Sequence, residues 1–234
     1  MISRLAVVPH PPLLVPELVA GAAVETEPVR AATLAAARDL AACSDEWLAV
    51  AADPSGPRVV EDVTGSFHAF GVDVPVSLTE GASRAEDDLP LPALIAGWLR
   101  ERAGARRVSV HLVPPDLPES DCAALGARLA GASALLVLGD GSHRHGEHAV
   151  GRADDRAGAF DEGVGRALAS ADRGALRALD PVLAADLGAG GRAAWQVAAA
   201  VPGAWRCTRS AFLAPYGVGY HWAVWEARSG RLEP

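Results

Sequence analysis

Residues 134–148 read ALLVLGDGSHRHGEH, an apolar run that empties into a turn carrying an acid, a serine and three histidines. Ala134 to Leu138, five consecutive apolar residues bounded by Gly131 and Gly139, predict a buried strand. Polar side chains just past such a strand fall in the crevice where open α/β sheets bind ligands, which makes Asp140, Ser142, His143 and His145 candidate site residues. His143, His145 and His148 stand at i, i+2 and i+5, a spacing that fits no single helical face and no zinc signature. Any site geometry therefore depends on partners elsewhere in the chain. The competing reading is a polar loop rich in histidine by chance, and for His145 and His148 taken singly a solvated loop is the expectation.

On either side of this stretch the chain alternates strands and helices. Ile2 to Val8 is an apolar, β-rich run stopped by Pro9, His10, Pro11 and Pro12, so a first strand ends in a rigid turn that fixes His10. Thr26 and Pro28 mark the start of an Ala-rich helix reaching Cys43. Trp47 to Ala52 predicts a second strand, stopped by the breaker cluster Asp53-Pro54-Ser55-Gly56-Pro57. Val59 to Leu78 reads as irregular or short-stranded, with His68 between aromatics as a packed histidine. Leu91 to Ala103 is amphipathic, Arg107 to Val113 alternates like a strand with a structural His111, and Ser120 to Leu129 is a short helix. Beyond the central loop come helices over Ala157–Ser170, Leu176–Leu187 (broken at Asp180-Pro181) and Arg192–Val201, then a hairpin from Arg206–Ala214 and Val218–Ala227. This order predicts an α/β fold on a mixed or parallel sheet covered on both faces, in one domain spanning 1–234.

Composition narrows the function classes. Half of the 234 residues are apolar, enough for a full core. The chain has neither Lys nor Asn, which excludes Schiff-base lysine chemistry and N-glycosylation. The net charge of −8 is scattered, and no basic stripe with interleaved aromatics suggests a nucleic-acid partner. Cys43, Cys122 and Cys207 form no CxxC pair, so buried thiols in a reducing cytoplasm are expected. No signal-like or membrane-spanning stretch is present, and a cytoplasmic protein without a membrane partner is the expectation.

Three landmarks then share the wording of one family. VVPHPPLLVPEL at the start, LGDGSHR in the centre, and DPVLAADLGAGGR followed by APYGVGY resemble the class III extradiol dioxygenase catalytic (B) subunit superfamily, including its Memo-like relatives. The resemblance spans nearly the whole chain in order. It implies a three-layer α/β/α sandwich on a mixed, mostly parallel sheet, and an Fe(II) held by two histidines and a glutamate that leave positions open for a catecholic substrate and dioxygen.

On that resemblance His10 matches the first iron ligand and His143 the acid/base histidine, with Asp140, Ser142, Ser55, His145 and Tyr220 around the pocket. The remaining ligand positions depart from the pattern. Ser55 stands where the second histidine belongs, and Ala189, in Gly188-Ala189-Gly190-Gly191, stands where the carboxylate belongs. Asp53, Asp186 and His68 are the conceivable substitutes, with His145, His148 and His221 further ones. Two hypotheses follow: a metal-dependent oxidoreductase acting on an aromatic diol, or a non-redox ligand-binding or scaffolding protein of the same fold. A small aromatic ligand and a homo-oligomer fit either.

Overall fold

A computed structural model of the chain describes residues 1–19, 24, 26–129 and 132–228. Gly131, which bounds the central apolar run, lies outside the described residues. The strands are β1 (Arg4–Val8), β2 (Glu46–Ala52), β3 (Arg58–Val60), β4 (Val63–Ser66), β5 (Pro75–Ser77), β6 (Arg84–Ala85), β7 (Arg107–Val113), β8 (Ala134–Leu138), β9 (Trp205–Leu213) and β10 (Tyr220–Ala227). The helices are α1 (Glu27–Ala41), α2 (Leu91–Ala103), α3 (Glu119–Arg128), α4 (Arg156–Ser170), α5 (Arg173–Arg177), α6 (Pro181–Asp186) and α7 (Arg192–Ala200).

Seven strands form one sheet in the order β3-β7-β2-β8-β1-β10-β9. The four central strands β7, β2, β8 and β1 are parallel, while β3, β10 and β9 join antiparallel to their neighbours. The fold class is therefore as the alternation predicted: α/β, on a mixed sheet, with an antiparallel C-terminal pair. The central run Ala134–Leu138 is buried at every position, because β8 lies mid-sheet with helices on both faces.

The pleat divides its side chains between two cores. Leu136 and Leu138 join Ala6 and Val8 under α1 and α2, while Leu135 and Val137 join Leu5 and Val7 under α4 and α7. Each fully buried Leu or Val in such a layer contributes roughly 1.5–3 kcal/mol. The stretch read as irregular or short-stranded supplies β4 and β5, which with β6 form a small second sheet in the order β5-β4-β6; Val63 and Val76 of that sheet, and Phe67 of the turn between them, extend the α1/α2 core.

Register places the candidate loops. Val8, Leu138 and Ala51 are hydrogen-bonded neighbours across β1, β8 and β2, and Ala52 pairs with Val113 of β7. The loops carrying His10, Asp140, Ser55 and Pro115 thus all leave the same edge of the parallel sheet, where α/β folds place ligands. Among the described residues no helix is long and apolar enough to cross a membrane.

Candidate functional site

The polar residues following β8 divide between the two faces of the sheet. Asp140 turns towards the end of β1: its Oδ1 accepts the His10 backbone N–H at 3.0 Å and lies 3.9 Å from His10 Nδ1. His10 Nδ1 is buried and has no hydrogen-bond partner. Tyr220, buried at the start of β10 in the α1/α2 core, completes this group. Burial, and then the charges of Asp140 and Tyr216, push its phenol well above the ordinary tyrosine range.

Two residues on, Ser142 faces the opposite layer and meets Asp161 of α4. Asp161 has no exposure, and its carboxylate accepts the Ser142 N–H (3.0 Å), His145 Nε2–H (2.6 Å) and His221 Nε2–H (2.9 Å). Ser142 Oγ donates to the Leu187 carbonyl at 2.9 Å, closing the loop onto the end of α6. Two glycines make room for the carboxylate: a Cβ at Gly141 or Gly219 would overlap Asp161. His221 is packed between Phe212 and Trp195, with ring centroids at 4.7 and 5.6 Å, and its Nδ1 is buried without a partner. A fully buried carboxylate is sustained only by such donors. His145 is accordingly a structural partner rather than the solvated loop residue expected, whereas His148 is exposed.

His143 joins neither group. Its Nδ1 donates to the Val150 carbonyl at 3.1 Å, and its ring lies on Gly188, where any Cβ would overlap it. Gly188 also has φ +62, so two constraints fix glycine there. His143 is thereby brought beside the turn bearing Ala189, while His10 and Asp140 pair with each other. The conceivable substitute ligands are engaged elsewhere. Asp53 Oδ1 accepts the Ser55 N–H and hydroxyl at 2.9 and 2.6 Å, in a turn that leaves Ser55 exposed. Asp186 pairs with Arg156 at 3.4 Å. His68, expected as a packed histidine, is exposed on a 3-10 turn beside the small sheet, because Phe67 takes the buried position.

The iron ligand set implied by the resemblance therefore does not fit. Of the three matched positions only His10 offers a donor; Ser55 is turned to its own Asp53, and Ala189 presents a methyl group. Among the described residues no three His, Cys, Asp or Glu side chains are grouped to hold a metal ion. The His145–Asp161–His221 cluster illustrates why: both imidazole nitrogens are aimed at carboxylate oxygens and not at a common point.

At this edge of the sheet lies a cleft of about 530 Å³, bounded by the loop after β7 and by the turn between α6 and α7. Its walls are mostly apolar, from Pro115, Pro181, Val182, Ala184 and Ala189, with Gly188 carrying the His143 ring behind it. The Gly191 N–H donates to the Asp140 carbonyl at 2.8 Å, which joins the cleft turn to the loop after β8. Volume and lining are those of a small-molecule site. Neither Asp161 nor the cleft was legible in advance: Asp161 reads as one of several acids at the start of a helix, and a cleft formed by three separated loops has no local signature. Set against protein-family models and curated proteins, the chain matches none.

Proposed function

We propose that this protein is a small-molecule-binding member of the class III extradiol dioxygenase catalytic-subunit superfamily that works without the family's iron. The observation that carries this reading is Ala189: the position matched to the family's carboxylate contributes a methyl group to the wall of an apolar cleft. The ordered landmarks VVPHPPLLVPEL, LGDGSHR and DPVLAADLGAGGR support the superfamily, and the shared sheet edge of their loops is in keeping with it. The ligand is a small aromatic molecule, seated between Pro115, Val182 and Ala189 with the His143 ring close behind Gly188.

The test is titration of metal-free protein with catechol and phenol, followed in backbone amide spectra. Saturable shifts at Gly188, Ala189 and Gly190 are the expected result. Shifts scattered over the surface, or none, would remove the cleft as the site. Iron-dependent ring cleavage is the second reading, favoured by one observation: the unpartnered His10 Nδ1 facing Asp140. It requires a further ligand from outside the matched positions, and iron titration separates it from the first.

A further inference from the structure

One wall of the cleft holds a cation for which the described residues supply no paired carboxylate. Arg192, the first residue of α7, is only 4 % exposed and lines the cleft. Its Nη1 donates to the Leu117 carbonyl (2.6 Å) and Gln196 Oε1 (2.9 Å), and Nη2 to the Pro115 carbonyl (2.6 Å). Among the described residues no carboxylate pairs with this guanidinium. Those three bonds use three of the five guanidinium N–H groups, which leaves Nε–H and one Nη2–H for a carboxylate.

The helix adds to the imbalance. α7 begins without a side-chain cap and with no acidic residue in its first turn, so its partial positive end and the Arg192 cation coincide. A buried cation at the positive end of a helix is unfavourable unless an anion joins it. The acids that also line the cleft do not supply one: Asp186 is paired with Arg156, and Asp116 is exposed on the loop after β7.

We propose that the cleft takes a small carboxylate with an apolar body, the carboxylate held by Arg192 and the start of α7, the body against Pro115, Val182 and Ala189. This rests on the reading of the cleft as a small-molecule site, and it requires no vicinal diol. Benzoate and its neutral isostere benzamide are the probes, with catechol as the carboxylate-free control. In the wild type, benzoate should bind at least tenfold more tightly than benzamide and shift the Arg192 Nε–H resonance. Arg192→Gln should remove that preference. Ala185→Phe, at an exposed position lining the cleft, should abolish binding of both probes.

Because Arg192 also ties down Pro115 and Leu117, the wild-type comparison and Ala185→Phe decide the matter should Arg192→Gln fail to fold. Equal affinities for benzoate and benzamide, or an unmoved Nε–H, would overturn the assignment to Arg192 while leaving the cleft as a ligand site. If benzoate, benzamide and catechol all fail to bind, the small-molecule reading falls with it.

Discussion

Asp161 carries a charge wholly removed from water, held by the Ser142 N–H and two imidazoles that come from a loop and from β10. Asp161→Asn would set an amide N–H₂ against donors already committed to that site, and breaking a buried pair in this way costs about 3 kcal/mol or more. Urea denaturation of the variant should show that loss; a change within experimental error would mean that the cluster rearranges without it. Tyr220 gives the pH dependence. Its folded phenol titrates above the unfolded value of about 10. The folded state therefore keeps a proton that the unfolded state has released, and stability is full below about pH 10 and falls as pH rises beyond it. Absorbance titration should show a tyrosine step above the ordinary range, and Tyr220→Phe should delete that step and reduce the alkaline loss of stability.

Glycines in helices test how closely the elements approach. Gly126 of α3 faces the Val197 carbonyl and Ala200, and a Cβ there would overlap both. Gly163 of α4 has nothing within 4 Å of its Cβ position. Gly163→Ala should therefore stabilise the protein by about 0.5–1 kcal/mol through helix propensity alone. Gly126→Ala should destabilise it by about 1–3 kcal/mol, since α3 must move off α7. Thermal melts of the two variants should shift in opposite directions; shifts of the same sign would contradict the α3–α7 contact. Element positions were legible because strong punctuation bounds them: Leu91–Ala103 and Arg107–Val113 follow from prolines, a terminal glycine and a clean change of period. The small sheet over Val63–Ala85 was legible only as irregular or short-stranded text, because strands of two to four residues carry no usable periodicity.

At the scale of the whole molecule, the convergence of loops at one sheet edge follows from apolar runs that end in polar breakers at His10, Asp53 and Asp140. What each side chain does there is set beyond the end of β8, where the loop leaves the strand and turns Asp140 to His10 and Ser142 to Asp161, and by distant partners such as Asp161 and Gly188 that no spacing reveals. Hence His145, read as a solvated loop residue, is bonded to a buried carboxylate, and the His143 ring lies on Gly188. The proposed reading, a protein resembling the extradiol dioxygenase superfamily that works without iron, rests on Ser55 and Ala189 at the two ligand positions matched by that resemblance. Anaerobic titration with Fe(II), run in parallel on the wild type and on Ser55→His/Ala189→Glu, tests it most directly. The account predicts weak or substoichiometric binding by the wild type, and a gain of several kcal/mol in the folded double variant, about a hundredfold or more in affinity. Tight one-to-one binding by the wild type would contradict it and return the protein to the iron enzymes.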